Sequence, residues 1–304
     1  MTSPIQETCE IVSGAIIAAL DAGTAPWCKP WTGQPGDGMP VNLTTGKAYT
    51  GVWNPMILML AGGRFNGDNR WAGFNQFRQA GNSVLKGEQG TDIFFPMFRC
   101  VCGVPIATWS KSCKNGHPLK DDSGKEINRR FGGFDSCTVF NNQQTATPAP
   151  TPVVIDVDPT IGFEAASKAV NRLGARVCHG GSRASYAPAS DTIALPEVGS
   201  FVSPAHYWAT SLHEHAHWTG HASRLNRPGI VAFTGFGTPE YAYEELIAEM
   251  GSAFACHHLG IKREGLIENH AAYIASWKKG LTEDPMVVRK AATEAGRILT
   301  FLMK

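Results

Sequence analysis

The sequence predicts an α+β protein of two domains. In both halves of the 304-residue chain, patterns typical of helices are combined with short runs typical of strands. Between the halves lies the segment "NNQQTATPAPTPVV", which is rich in Pro, Thr and Ala and carries no charge. Alternating prolines favour extended backbone and lack amide donors. We therefore expect one domain over residues 1–145, a linker over residues 146–155 and a second domain over residues 156–304.

The first half is predicted to begin with a helix from about Pro4 to Ala22, which Gly23 ends. A long region rich in Gly, Pro and Trp follows it. Two further helices are predicted around Pro55–Leu60 and Gly73–Ala80, and two strands near "TDIFFPMF" and "FDSCTVF". Helices and strands are therefore mixed in this half.

The second half is predicted to be mainly helical, with a small group of strands near its start. A helix, "FEAASKAVNRLG", precedes short strands around "ARVCH", "ASYA" and "DTIALP". Ser203 can cap a helix whose first turn holds Pro204, and Gly220 is a plausible end for it. Thr238 and the proline after it open a second helix, "PEYAYEELIAEMGSAFACHHLG", in the same way.

The composition is that of an ordinary globular protein, with 43% hydrophobic residues, 17% charged residues and a net charge of +1. It excludes a disordered chain and a highly basic nucleic-acid tail. The apolar run Ile11–Leu20 is too short to span a bilayer and has no basic segment before it, so we expect neither a membrane partner nor a signal peptide. Eight cysteines without a dense framework favour reduced thiols and a cytoplasmic location.

The stretch "SLHEHAHWTGH" predicts a zinc site on the first of the two capped helices. His213 and His217 are four residues apart, so both imidazoles project from one helix face and can reach one ion at about 2.0–2.1 Å. Glu214 lies about 100° further round the helix, where a carboxylate can take a proton from zinc-bound water. His215, on another face, is expected to lie at the surface. Without further support, so short a motif also arises by chance.

The third zinc ligand is predicted to come from the second capped helix. An extended motif with a third histidine fails, because position 223 is Ser223 and His221 lies two residues too early. Glu245 is the predicted ligand, and Glu249, one turn on, would accept a hydrogen bond from the far nitrogen of a ligating histidine. Glu244 is the alternative ligand if the helix is rotated.

Aromatic and basic side chains alternate through the early part of the first half. Such a pattern suits an unpaired nucleic-acid strand, whose bases stack on aromatic rings while its phosphates pair with Lys and Arg. The alternative is that most of the tryptophans belong to the core. The candidate DNA contacts are Trp27, Lys29, Trp31, Lys47, Trp53, Arg70, Trp71, Arg78 and Lys86.

Four further potential metal ligands occur between the two predicted strands of the first half. Cys100 and Cys102 are followed by Cys113 and His117, a set that could form a small zinc knuckle. The usual knuckle spacing is C-x-x-C, whereas the first pair here is C-x-C. Ordinary thiols without a metal are the alternative.

The chain also resembles a known family over nearly its whole length. In order, it contains "GTAPWCKPW", "PVNLTTGKAYTGVWNPMIL", "RWAGFNQFRQAGNSVLKGEQGTDIFFP", "CTVFNNQQT", "ASYAPASDTIALPEVGSF", "YWATSLHEHAHWTGHASRLNR", "YAYEELIAEMGSAF" and "ENHAAYIASWKKGL". These blocks resemble the ArdC-type antirestriction proteins of conjugative plasmids. The resemblance implies an N-terminal domain that binds single-stranded DNA and a C-terminal, mainly helical zincin-like metallopeptidase fold with a small sheet.

The resemblance also implies protection of incoming plasmid DNA from host restriction during conjugation. His213, Glu214 and His217 match the metallopeptidase motif of the family, and Glu245 lies in the matching acidic helix. Single-stranded DNA is the expected partner, with a host restriction enzyme or another protein substrate as a further one. Two alternatives remain open: an active zinc peptidase that is tethered to or activated by DNA, and a DNA-coating protein whose zinc is structural.

Overall fold

The computed structural model describes residues 3–23, 39–65, 68–106, 111–150, 159–232, 238–261 and 271–304. Both halves combine helices with a sheet, which confirms the predicted α+β class. Among these residues, no helix is both long enough and apolar enough to cross a membrane. Trp27, Lys29 and Trp31, three of the predicted DNA contacts, lie outside the described residues.

The described part of the first half is built around a mixed sheet with the strand order β1-β2-β5-β3-β4. Its elements, in chain order, are α1 (Pro4–Asp21), β1 (Val41–Asn42), α2 (Trp53–Gly62), β2 (Arg70–Gly73), α3 (Phe74–Gln79), β3 (Thr91–Cys100), β4 (Pro105–Ile106) and β5 (Arg129–Asn141). The predicted helices and strands are all present, and their ends differ from the predicted ones by a few residues.

The long antiparallel pair of β3 and β5 dominates this sheet. Thr91 lies opposite Val139 at one end of the pair, and Cys100 lies opposite Arg129 at the other. The register shifts once, next to Phe98, where a bulge interrupts the ladder. The pair therefore extends as a hairpin well beyond the part of the sheet that β1 and β2 cover.

The second half has a small sheet of order β6-β8-β7, with β6 parallel and β7 antiparallel to the central strand. Its described elements are α4 (Pro159–Leu173), β6 (Arg176–His179), β7 (Ser185–Ala187), β8 (Thr192–Leu195), α5 (Pro204–Trp218), α6 (Pro228–Val231), α7 (Pro239–His258), α8 (Ala271–Glu283) and α9 (Met286–Leu302). Helices thus make up most of this half, as predicted.

Both predicted caps are present at the starts of α5 and α7. The Ser203 hydroxyl accepts a hydrogen bond from the backbone N–H of His206, and the Thr238 hydroxyl accepts one from that of Tyr241. In each helix, a proline in the first turn occupies a position where no amide donor is needed. The two helices pack side by side, and α9 also packs against α7.

The largest hydrophobic core joins the two halves of the chain. Buried residues of α1, including Ile16, pack in one cluster with Met250 of α7 and Ile298 of α9. Ser13 of α1 also donates a hydrogen bond to the carbonyl of Pro285, 272 residues later. The halves therefore have separate sheets but a shared helical core, and the boundary at residues 146–155 stays a prediction.

Candidate metal centre

Three buried side chains from α5 and α7 converge on one point. The Nε2 atoms of His213 and His217 are 3.1 Å apart. The Glu245 carboxylate approaches both, with Oε2 3.4 Å from Nε2 of His213 and Oε1 3.5 Å from Nε2 of His217. All three residues are at least nine-tenths buried. The helix packing thus brings together the three residues that the sequence predicted as metal ligands.

This triangle has the dimensions of a zinc site. Zinc binds nitrogen and oxygen ligands at about 2.0–2.1 Å in a tetrahedron, which places neighbouring ligand atoms about 3.3–3.4 Å apart. The three observed separations, 3.1, 3.4 and 3.5 Å, lie around that value. Two imidazoles and one carboxylate, with the fourth position left for water, are a ligand set of catalytic zinc sites. The residues present therefore fit a zinc ion.

The far side of His217 is held by a buried ion pair that the sequence did not reveal. Its Nδ1 lies 3.3 Å from Oε1 of Glu244, and the Arg227 Nε donates to both oxygens of that carboxylate. Burial acts to raise the pKa of Glu244, but Arg227 and His217 outweigh it and hold this pKa below its usual value. Arg227 also donates to the carbonyl of Ala216 and to the Thr219 hydroxyl. Glu244 thus lies beside the ligand triangle, and its carboxylate faces His217 and is bound by Arg227.

The far side of His213 faces a second buried carboxylate. Oε2 of Glu249 lies 3.5 Å from Nδ1 of His213, and the Glu249 side chain is fully buried. Each histidine therefore has its Nε2 towards Glu245 and its Nδ1 towards another carboxylate. Carboxylates in such positions orient metal-binding imidazoles and fix their tautomers.

Tyr241 is a site residue that the sequence analysis missed. Its ring stacks on His217 with centroids 6.4 Å apart, and burial together with the Glu245 charge and hydrogen bond raises the pKa of its hydroxyl. Glu214, the predicted base, is 7% exposed, and its charge contributes to the same shift. The spacing of four residues between Tyr241 and Glu245 could have indicated that they share a face of α7.

His215 is not at the surface, so the prediction for this residue is wrong. Its side chain is 1% exposed, in a helix against which α4, β7 and β8 pack, and Nδ1 lies 2.7 Å from the carbonyl oxygen of Ser211. Burial lowers the pKa of His215 to about 4. It lines a cavity of about 330 Å³ together with Tyr207 and His179. His221 lies outside the ligand triangle and pairs with Ser223 through Nδ1.

Several predicted DNA contacts are buried or partly buried, so we remove them from the candidate DNA surface. Trp71 is fully buried in a cluster with Leu58 of α2 and packs edge-on against Phe65. Arg70 forms a buried ion pair with Asp68. Trp53 packs against the shared helical core. Since stacking and phosphate pairing need accessible groups, these positions are better explained by the core alternative.

The basic residues Lys47, Arg78 and Lys86 remain exposed. The hairpin of β3 and β5 adds an aromatic surface that lies outside the predicted region. Its rings are those of Phe98, Phe131 and Phe134, with successive centroids 6.3 and 5.1 Å apart. The sequence signal was the run "RRFGGF", but only the strand pairing brings it beside Phe98.

Two guanidinium groups accompany these rings. Arg129 lies over the Phe98 ring at 3.8 Å, and Arg289 of α9 lies over the Phe134 ring at 4.1 Å. Such contacts are cation–π interactions. We call the three phenylalanines and two arginines the Phe–Arg ladder. It combines the three rings with two guanidinium groups, of which that of Arg129 is also paired with Glu126.

Two family models match the chain, one in each half. Residues 6–140 match the N-terminal domain of anti-restriction factor ArdC, and residues 164–294 match a zincin-like metallopeptidase. An uncharacterized protein of Sinorhizobium fredii, y4eC, is 31% identical over 96% of this chain and 90% of its own length. Two Escherichia coli proteins described as DNA primase TraC are 37% and 39% identical over 97% of this chain. The chain spans only 20% and 27% of their lengths.

The fold is also similar to that of a solved structure. The antirestriction protein ArdC of plasmid R388, in its metal-free form, gives a TM-score of 0.71 at 31% identity, over 97% of this chain and 96% of that one. Its Mn(II)-bound form gives a TM-score of 0.69 over the same shares of the two chains. The similarity therefore extends across both halves and their arrangement.

Proposed function

Because this chain belongs to the ArdC family of antirestriction proteins, we propose that it binds single-stranded DNA and protects incoming plasmid DNA from host restriction during conjugation. It would act in the cytoplasm, where incoming DNA meets restriction enzymes. The observation that carries the DNA-binding part is the Phe–Arg ladder of the β3–β5 hairpin. Its rings belong to the half that matches the N-terminal domain of ArdC.

The ladder has the properties that an unpaired strand requires. Phe131 is 59% exposed and Phe134 is 38% exposed, so both rings offer faces or edges to a base. Each stacked base contributes about 1–3 kcal/mol. Arg289, over the Phe134 ring, would pair with a phosphate, whereas Arg129 is already paired with Glu126. The exposed Lys47, Arg78 and Lys86 are retained as further phosphate contacts. A duplex hides its base faces and gains only the charge contribution.

The first prediction concerns Phe131, the most exposed ring of the ladder. We expect Phe131→Ala to weaken single-strand binding by about 5- to 150-fold, the equivalent of one lost base stack. Fluorescence anisotropy with a labelled oligonucleotide at fixed salt measures this change. The control is Phe201→Ala, which removes an aromatic ring of the second half that packs on Tyr207. The affinity of this control variant for the oligonucleotide should equal that of the wild type.

Salt dependence and duplex competition complete this test. Affinity for single strands should fall as salt rises, because phosphate pairing releases counterions. Single strands should also compete better than the corresponding duplex. Equal and salt-insensitive binding of both would contradict the proposal, as would an unchanged affinity in the Phe131 variant.

We propose zinc peptidase chemistry as a second function, favoured by the buried ligand triangle and by the buried Glu214, which directly follows His213 in α5. His213, His217 and Glu245 would hold the ion, while Glu244 and Glu249 orient the histidines. When bound, zinc lowers the pKa of a coordinated water to about 7 and polarises a carbonyl group. The Glu214 carboxylate would accept the proton of the attacking water and later pass it to the leaving amine.

The second prediction separates this chemistry from a structural role of the metal. Glu214→Gln keeps the size of the side chain but removes the proton acceptor, so we expect zinc content and DNA affinity to stay unchanged. If peptidase chemistry is needed, protection should be lost. The measurement is the transfer frequency of an unmodified plasmid into restricting and non-restricting recipients. Full protection by this variant would refute the peptidase proposal and favour DNA coating.

A further inference from the structure

We propose that Cys100, Cys102, Cys113 and His117 form a second zinc site, structural in role, at the far end of the β3–β5 hairpin. Each residue offers one ligand atom, and the four atoms all lie within 4.8 Å of one another. Three thiolates and one imidazole are a ligand set of structural zinc sites, which have no open position. The site is separate from the His213 centre, which contains no sulfur.

The measured separations match a tetrahedral zinc ion. Zn–S bonds of about 2.3 Å and Zn–N bonds of about 2.0–2.1 Å place two sulfurs about 3.8 Å apart and a sulfur and a nitrogen about 3.6 Å apart. Sγ of Cys102 lies 3.8 Å from Sγ of Cys113. Nδ1 of His117 lies 3.4 Å from Sγ of Cys100 and 3.6 Å from Sγ of Cys113. These three separations suit one ion, and the other three lie within 4.8 Å.

Two tight turns present these ligands. Gly103 donates its backbone N–H to the carbonyl of Cys100, and Gly116 donates to that of Cys113. Both glycines have φ in the left-handed region, at 87° and 81°, where a side chain would be strained. The turn at Cys113 is closed by its own N–H, which donates to the carbonyl of His117. Each turn thus fixes the direction of its cysteine through backbone hydrogen bonds.

The first turn also directs amide donors at sulfur. The backbone N–H of Cys102 donates to Cys100, and that of Val104 donates to Cys102. Such donors stabilise the thiolate, which is the form of cysteine that binds metal.

Packing alone does not explain why these residues meet. Cys100 and Cys113 are buried with Leu119 in a small apolar cluster, against which Ile106 packs. Cys102 and His117 are exposed, yet their ligand atoms point into the same cluster. Among the described residues of this segment, three buried apolar side chains are too few to hold the end of the hairpin, and small modules of this kind need a metal or disulfides. Zinc would supply the missing contacts.

The site would stabilise the hairpin end next to the Phe–Arg ladder. Cys100 lies opposite Arg129 in the strand register, and Phe98 lies opposite Phe131. A metal bound at Cys100 would fasten the end of β3 to the turn at Cys113, in the segment that connects β3 to β5. The metal site itself is independent of whether the ladder binds DNA.

The test uses the full chain and the double variant Cys102→Ser/His117→Ala. Both positions are exposed, so the buried apolar cluster stays intact. Elemental analysis after gentle purification should find about one zinc equivalent fewer than in the wild type. The control is Cys137→Ser, which removes an exposed cysteine of β5 outside the cluster and should leave the zinc content unchanged.

Cobalt substitution identifies which site has lost its metal. Co²⁺ bound to thiolates absorbs by charge transfer in the near ultraviolet, whereas the two-histidine and carboxylate centre has no sulfur ligand. We expect this absorption in the wild type and in His217→Ala, and its loss in the Cys102/His117 double variant. The proposal would be overturned if the double variant and the wild type contained equal zinc, or if the cobalt-substituted wild type lacked the charge-transfer band. A Cys102–Cys113 disulfide in the purified wild type would also overturn it.

Discussion

Arg227 links the end of α5 to the metal centre through contacts that are all buried. The guanidinium neutralises Glu244, which faces His217, and it also binds the carbonyl of Ala216. Both members of this ion pair are at most 2% exposed. A buried carboxylate without its cation keeps the full cost of desolvation. We therefore expect the orientation of His217 to depend on Arg227, which acts on it through Glu244.

The third prediction follows from this ion pair. We expect Arg227→Met to lower the free energy of unfolding by about 3–5 kcal/mol, because Glu244 is left buried and unpaired. Zinc affinity should fall about 10- to 100-fold, as it does when a partner that orients a ligand is lost. Urea denaturation and competition with a chelator measure the two effects.

The control for this variant is Arg297→Met. Arg297 is exposed and pairs with Glu294 at the surface of α9, so its loss should cost at most about 1 kcal/mol. An equal effect of the two substitutions would mean that the Arg227–Glu244 pair is accessible to water in the folded protein.

At the scale of helices and strands, the features that local sequence determines were predicted and those that depend on distant partners were not. Ser203 and Thr238 cap their helices through hydrogen bonds to residues three positions on, so the sequence shows them directly. The burial of His215 depends on α4 and on the strands that pack against α5, and that of Trp71 on α2 and the neighbouring strands. Their own sequence contexts contain no sign of these neighbours.

The residues of the metal centre also fall into two groups, those that the local sequence indicates and those that only the packing reveals. His213 and His217 follow from a spacing of four on one helix, and Glu245 was predicted from the presence of a second capped helix. Arg227 was missed because it precedes Glu244 by 17 residues and lies just before the short α6. No periodicity relates these positions, so only the packing of α5, α6 and α7 reveals the pair.

Gly220 was predicted to end α5, but its role in the structure is a different one. Helix α5 already ends at Trp218. A Cβ atom at Gly220 would lie 2.6 Å from the Ile230 side chain, 2.9 Å from Nη2 of Arg227 and 3.0 Å from the carbonyl oxygen of His217. The glycine is therefore required for the close approach of Arg227 to the end of the helix.

The fourth prediction is that Gly220→Ala lowers the free energy of unfolding by about 1–3 kcal/mol, the usual cost of overpacking. The control is Gly280→Ala in α8, where an added Cβ meets nothing within 4 Å. This substitution should raise stability by about 0.5–1 kcal/mol, because alanine restricts the unfolded chain and favours helix. Thermal unfolding followed by circular dichroism distinguishes them, and effects of the same sign would contradict the packing.

At the scale of the whole molecule, α1 belongs structurally to the second half although it begins the first. Its buried residues pack with α8 and α9, and α2 also contacts α9. The aromatic Phe134 of the hairpin touches Arg289 of the same helix. The two halves are therefore expected to unfold together, even though their sheets are separate.

The fifth prediction tests this coupling with two isoleucines of α1. Ile16 is fully buried, and Ile16→Ala should lower the free energy of unfolding by about 2–5 kcal/mol. Ile11 is 66% exposed, and Ile11→Ala should change it by less than about 0.5 kcal/mol. Urea unfolding monitored by tryptophan fluorescence and circular dichroism should give one coincident transition in each protein. Two separate transitions would show that the halves are independent.

The pairing of α1 with the last helices also determines when the protein can finish folding. Ser13 and Pro285, which share a hydrogen bond, are 272 residues apart. Contacts of such long range form late, because the entropy of closing the intervening chain must be overcome first. Because the ribosome adds residues in order, the apolar face of α1 stays uncovered until α8 and α9 have been synthesised. During that interval it is a surface for chaperones to bind and for nascent chains to aggregate on.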